Sequence, residues 1–511
     1  MADVGNALVF DPAKLTFESI WTRRKIVASY WIAILLATPL WWKTTSIDRL
    51  SLPGSRVRSL GSRELLFPVD IAIATPAAHS RLSTDLLTSL QPALSEQGLS
   101  VTVDVDETIP STGPGKYRIS SRLHESKWVL QDRELCTGDL ATLPANQLSD
   151  VLMRLLTPYT SWSSSEAHRV VKYSPRLRLA FTLLNEDASS GAAAISWELE
   201  NSVQNYLNVT LDRFLVLHNF TIESQVQFHA PLAFQPRTLD VDGQTVHGLT
   251  QEDLTVFVNS AEWTLSSSVS NDPVLHFVLF IPSAEHSPLY ILDQNGVLTS
   301  SDAFILPQWG GIVLLNNPPY HLTTSMLHNP FSTFRHQLLS LLGVPGLPPG
   351  VEYDGSEPFS DWQLDALVRH RAQENFVNSR ETLNSIVALV KQIDNMPVGR
   401  DVRDDVQGAL TALNNALATA RSSSMTALKY SSEALTLSSR AFFNPGMLAL
   451  LYFPAEHKYA VYAPLFAAVV APLVAAILRE VMVWRKARRE AAAATAATTR
   501  GTQPAQRQRV D

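Results

Sequence analysis

Two stretches of the chain are mostly apolar and uninterrupted by charge, and the long region between them is a succession of shorter periodic patterns. Ile26–Trp42 holds no charged residue, and neither does Tyr459–Leu478. At ~1.5 Å per helical residue these runs reach about 25 and 30 Å, the short and the ordinary length for crossing a bilayer. Trp41 and Trp42 edge the first, Tyr459 and Tyr462 the second. Such rings settle where headgroups meet hydrocarbon. Ala37-Thr38-Pro39 followed by Leu40-Trp41-Trp42 makes a poor cleavage site, which favours an uncleaved anchor over a signal peptide. Pro39, Pro464 and Pro472 lie inside the runs; a membrane helix tolerates them when neighbours satisfy the freed carbonyls. Ala463, Ala467, Ala471 and Ala475 share one helical face, where a second helix can approach closely.

Between the runs the period changes several times. Val69–Thr75 reads as a short strand, Arg81–Gln97 as a helix with Leu82, Leu86, Leu90 and Leu94 on one face, and Leu99–Val105 as an alternating strand. Strands at Tyr117–Ser121 and Trp128–Leu130 and a helix near Asn146–Leu156 follow. A second block opens with the strand Leu177–Leu184, then a helix over Ile195–Leu217 and a strand over Phe220–Phe228, with further strands at Val274–Ile281, Leu289–Leu292 and Gly311–Leu315. Strand, helix, strand in this order implies an α/β region. Proline and glycine at Gly343–Pro349 mark a boundary. Beyond it Leu383, Ile386, Val387, Val390 and Ile393 keep a three-four spacing, Val402, Val406, Leu410, Leu413, Leu417 and Ala420 continue it after the Met396-Pro397 break, and Leu428 and Leu435 extend it. They predict two long helices, paired as a hairpin or packed on the α/β core. The expected organisation is a short segment 1–25, a membrane helix 26–42, an α/β region 43–345, a helical region with a membrane-proximal link 346–458, a membrane helix 459–478, and a tail 479–511. The tail is disordered on composition.

Charge adds orientation. The net formal charge is −7, but the basic residues crowd one side of each run. Arg23, Arg24 and Lys25 precede the first; Arg479, Arg485, Lys486, Arg488 and Arg489 follow the second. The positive-inside rule then places both termini in the cytosol and the middle on the far side. Both N-x-S/T sequons, Asn208-Val209-Thr210 and Asn219-Phe220-Thr221, fall in that middle, making Asn208 and Asn219 candidate N-glycosylation sites. The single cysteine, Cys136, rules out a disulfide within the chain and reads as a buried thiol. No basic stripe with interleaved aromatics appears, which argues against a nucleic-acid partner.

A search for chemistry finds no nucleophile elbow, phosphate loop, paired zinc motif or caspase-like cysteine signature. Asp104-x-Asp106 and Asp240-x-Asp242 are the acidic pairs able to hold a divalent cation, as a luminal glycosyltransferase would need. Asp242-Gly243 also reads as a hairpin turn, and Asp104 and Asp106 as solvated acids at a strand end. His328 and His336, eight residues apart at a helix start, read as ordinary histidines. The residues alone therefore name no catalytic, metal or cofactor site, and they leave an adaptor binding a luminal partner as an alternative to an enzyme.

Both membrane boundaries and two internal motifs point further. Pro39-Leu40-Trp41-Trp42-Lys43-Thr44-Thr45, Leu450-Leu451-Tyr452-Phe453-Pro454 with Lys458 to Phe466, Phe181-Thr182-Leu183-Leu184-Asn185-Glu186-Asp187 and Trp309-Gly310-Gly311 resemble the PIG-S family. That resemblance implies a non-catalytic subunit of the endoplasmic reticulum GPI transamidase. Its expected partners are the catalytic PIG-K subunit, PIG-T, PIG-U and the Gaa-type subunit, with no cofactor of its own.

Overall fold

The computed structural model describes residues 19–45, 49–74, 80–105, 113–122, 127–138, 140, 143–191, 193–241, 243–263, 265, 272–393, 396–448 and 455–500. It has mixed α/β sheets with helices and, at either end, a helix long and apolar enough to cross a membrane, as expected from the hydropathy pattern. Leu52–Val387 and Asp404–Phe442 form one compact unit; Met1–Ser51, Ala388–Arg403 and Phe443–Asp511 form another.

Two sheets organise the first unit. In the six-stranded sheet the spatial order is Val351–Tyr353, Trp128–Gln131, Glu134–Thr137, Lys116–Ser121, Phe67–Ala74, Leu99–Val105. The last four run parallel, and the hairpin between Trp128–Gln131 and Glu134–Thr137 reverses direction. Helix Ser80–Glu96 lies in the chain between Phe67–Ala74 and Leu99–Val105 and buries Leu86, Leu90 and Leu94, part of the stripe expected from the i, i+4 spacing. The strand Glu134–Thr137, too short to carry a period, was not legible; it buries Cys136, whose thiol burial pushes up. Val351–Tyr353 lies past the Pro/Gly stretch yet pairs with Trp128–Gln131. The punctuation expected to end a region is instead a connection back to the first sheet.

The five-stranded sheet has the order Ala303–Leu306, Gly310–Leu314, Val274–Ile281, Arg176–Asn185, Asn219–Gln227. Four strands are parallel, and Ala303–Leu306 is an antiparallel edge. Parallel strands covered on both faces read as continuous apolar runs, and Arg176–Asn185 is buried at every position after Arg176. Alternate residues face opposite sides. Leu184, Val278, Phe280, Ile312 and Leu314 pack with Phe257 and Trp263. Phe181 and Phe277 stack at 5.2 Å, and the rings of Phe331 and Phe334 from helix His328–Leu342 pack against them.

The helix expected over Ile195–Leu217 is broken. Ser196–Trp197 pairs with His321–Leu322, and two short helices follow, Leu199–Tyr206 and Asn208–Phe214. Glu198, just before the first of them, turns its carboxylate to Thr324, accepting the backbone N–H at 2.8 Å and the hydroxyl at 2.6 Å. The turn expected at Asp242-Gly243 falls between Arg237–Val241 and Gln244–Leu249, an antiparallel hairpin; Asp242 lies outside the described residues, the Gly243 N–H donates to the Asp240 carboxylate at 3.0 Å, and Gly243 has φ +80°.

Three long helices, not two, follow the sheets: Asp361–Gln392, Arg400–Thr419 and Ser424–Phe442. The three-four spacing begins only at Leu383, because the first half of Asp361–Gln392 buries polar groups. Asp365, Arg369, Arg371 and Asn375 are all within the core. The Asp365 carboxylate receives both arms of Arg133, Nε at 2.9 Å and Nη2 at 3.0 Å, and the Tyr117 hydroxyl at 3.1 Å. Tyr117 in turn stacks on Trp362 at 3.9 Å. A bidentate guanidinium and a phenol satisfy this charge where water cannot reach it.

In the second unit the helix Ile20–Thr45 stays continuous through Pro39, and Ala455–Arg500 through Pro464 and Pro472. The latter runs past the expected disorder of the tail as far as Arg500. Its Ala-rich sequence has high helix propensity, and extending an existing helix needs no new nucleus.

Candidate functional site

Two regions concentrate polar or aromatic groups in a defined geometry. One is the pair of apolar helices. Glu480, on the second, accepts Arg23 Nε at 2.8 Å and Arg24 Nε at 3.0 Å, with Arg23 Nη2 on the same carboxylate. At the other end Trp41 meets Tyr462 and Phe466 edge-to-face, at 5.7 and 5.0 Å. The start of the first helix thus lies beside the later part of the second, so the two run antiparallel, pinned by an ion pair at one end and an aromatic cluster at the other. Ala463, Ala467, Ala471 and Ala475 remain exposed; the stripe is not what joins the two helices to each other.

The other region is the carboxyl end of the parallel strands, where an open α/β sheet ordinarily offers a crevice at the point of reversed strand order. Here Arg176–Asn185 lies between Asn219–Gln227, next among these strands in the chain, and Val274–Ile281, which follows on the opposite side. Buried side chains fill the position. Glu186 accepts the Ser283 N–H at 2.8 Å and pairs with His286 Nδ1 at 2.6 Å, and His286 Nε2 lies 3.1 Å from Gln235 Oε1. Asn185, fully buried, spans three backbone groups: its Nδ2 donates to the Ala194 and Gln227 carbonyls and its Oδ1 accepts the Ala194 N–H. A carboxylate and imidazole this close resemble an acid–base pair, but both groups are spent on protein partners and tie three loops to the sheet.

Asp104 is an exposed strand-end residue, while Asp106 and Asp242 lie outside the described residues. His328 caps its ring against Tyr206, and His336 Nδ1 lies 2.8 Å from the Ser332 carbonyl oxygen, one turn back. Asn208 and Asn219 are both exposed, the first opening a short helix and the second a strand at the sheet edge. Sequence reasoning missed Glu186–His286, since the partners are 100 residues apart and only strand pairing aligns them.

Comparison with known proteins bears directly on the quoted motifs. The model of the phosphatidylinositol-glycan biosynthesis class S (PIG-S) protein family matches residues 28–113 and 100–487. This chain belongs to the PIG-S family. Its similarity to individual relatives extends nearly end to end. It is 29% identical to the human GPI-anchor transamidase component PIGS, over 90% of this chain and 95% of the human protein. It is 28% identical to the GPI transamidase component PIG-S homolog of Schizosaccharomyces pombe, over 87% of this chain and 81% of that one. It is also 26% identical to the GPI transamidase component GPI17 of Saccharomyces cerevisiae, over 86% and 89%.

The PIG-S-like motifs acquire physical meaning here. Asn185 and Glu186 of the first motif are the strand-end clamps, and Asp187 caps the following turn by accepting the Ser189 N–H at 3.0 Å. In Trp309-Gly310-Gly311, Trp309 stacks on His276 at 4.7 Å. A Cβ on Gly310 would fall 1.9 Å from the His276 carbonyl oxygen, and one on Gly311 would fall 2.0 Å from Gln337 Oε1. The glycines let Gly310–Leu314 approach its neighbouring strand and covering helix. The boundary motif Leu450–Pro454 lies outside the described residues.

Proposed function

We propose that this PIG-S family chain is a two-pass membrane subunit of the GPI transamidase in the endoplasmic reticulum, where it supports attachment of GPI anchors to proprotein C-termini without supplying a catalytic residue. Both termini face the cytosol in this reading, and residues of about 46–457 face the lumen. The observation that carries it is the family match, which runs through both apolar helices and the whole region between them. Relatives from a mammal and two yeasts bear the name of a component of that enzyme. The antiparallel helix pair is consistent with cytosolic ends on one side, since Arg23, Arg24 and Glu480 meet there and the basic flanks follow them. The filled strand-end crevice is consistent with a scaffold. Catalysis then belongs to PIG-K, with PIG-T, PIG-U and the Gaa-type subunit as further partners, and Asn208 and Asn219 carry N-glycans.

Affinity purification of the tagged chain in mild detergent should recover those four subunits, and depletion should leave GPI-anchored reporters uncleaved. Normal anchoring in depleted cells refutes the assignment. A tag on either terminus should be digested by protease added to intact microsomes; protection of either tag overturns the topology.

A further inference from the structure

One face of helix Asp361–Gln392 places a buried cation against an open cavity. Arg369 is 6% exposed, and its guanidinium Nη1 donates to the Tyr117 hydroxyl at 2.8 Å. Its Nη2 reaches only the Leu156 carbonyl, at 3.5 Å. The nearby carboxylate is committed elsewhere: Asp365 takes Arg133, Tyr117 and the Gly115 N–H. Among the described residues no carboxylate hydrogen-bonds Arg369: Asp365 acts on it at longer range and through Tyr117, which leaves Nη2 with only the long bond to a carbonyl. A guanidinium arm satisfied this weakly is a ready donor to an oxyanion.

The space beside it suits such an anion. Arg369 lines a cavity of about 280 Å³ together with Gln373, one turn further along the same helix face. The Gln373 Oε1 accepts the Leu65 N–H at 3.3 Å, and its Nε2 has no partner among the described residues. Phe67, Leu99 and Leu156 supply apolar wall, and the His370 ring stacks on Tyr159 at 3.8 Å. Burial holds His370 neutral, at a pKa of about 4, so it adds no positive charge to that of Arg369. A fixed guanidinium fork, a free amide donor and an apolar wall are the parts by which a small acidic molecule is recognised.

We infer that this cavity is a binding site for a small molecule carrying one oxyanion, a phosphate or a carboxylate, seated on Arg369 and Gln373. The assignment is independent of the assembly role. Full-length protein in detergent is titrated with inorganic phosphate, and separately with acetate, at constant ionic strength, following thermal unfolding. Saturable stabilisation by either probe is expected, and which probe saturates distinguishes a phosphate ligand from a carboxylate one. Arg369→Gln should weaken that response at least about tenfold. Thr160→Trp, an exposed position at the rim, should block it without disturbing the core, and this variant carries the test should Arg369→Gln not fold. A response to both probes that rises without saturating, or one unchanged in Thr160→Trp, overturns the site.

Discussion

The two sheets solve burial in opposite ways. Around the six-stranded sheet the adjoining helix buries charge, with Asp365, Arg133, Arg369 and Tyr117 in one hydrogen-bonded set. Around the five-stranded sheet the helix-facing layer is aromatic, built from Phe181, Phe277, Phe331 and Phe334. An aromatic layer loses stability in proportion to what is removed. A buried charge set fails as a unit, because each member that goes leaves another uncompensated.

The widest contrast is with pH. His218 and His276, flanking and within the five-stranded sheet, are held by burial at a pKa of about 4, as is His370 beside the other sheet. Each lies below the ordinary value of 6.5, so the unfolded chain takes up protons first. The resulting stability is complete above about pH 6.5 and is lost as pH falls toward 4, on the order of 3 kcal/mol per histidine. Unfolding temperature measured across that window should fall steeply, and His218→Gln should remove one proton from the slope. An unchanged slope in that variant would place His218 outside the acid-sensitive set.

Near-isosteric substitutions sharpen the comparison. Asp365→Asn keeps the shape but removes the buried charge that receives Arg133 and the Tyr117 hydroxyl, leaving Arg133 only Asp361, and should cost roughly 3–5 kcal/mol. Phe181→Leu removes ring area only, and should cost about 1–2 kcal/mol. Equal shifts in unfolding midpoint would mean the charge set is not a unit. Gly310→Ala should cost roughly 2–3 kcal/mol by forcing a strand away from His276, and Gly311→Ala less, because it meets the side-chain end of Gln337. Smallest of all, Glu480→Ala should only slightly weaken cysteine crosslinking between the two membrane helices at their Arg23 end, since exposed ion pairs hold little.

The same contrast explains what could be read in advance. The strand Val274–Ile281 was legible to the residue, since a strand buried on both faces is an unbroken apolar run. The helix Asp361–Gln392 was seen only from Leu383 onward, because its first half buries Asp365, Arg369, Arg371 and Asn375 among its apolar residues, and a hydropathy period cannot register a satisfied charge. The motif containing Asn185 and Glu186 was noticed as a family likeness, yet its work could not be inferred until Ser283 and His286 were brought beside it.

By itself the sequence determined the two apolar spans, the asymmetry of charge around them, the α/β alternation between them and the absence of a disulfide within the chain. These depend on composition and on periods of a few residues, which are local. Tertiary structure alone decided that Arg133 answers Asp365, that Glu186 and His286 close the strand ends, that the chain past Gly343–Pro349 returns to the first sheet, and that Arg369 faces a cavity. Each of those joins residues about 100 or more positions apart, and only the pairing of strands and the packing of helices on them sets which distant groups meet.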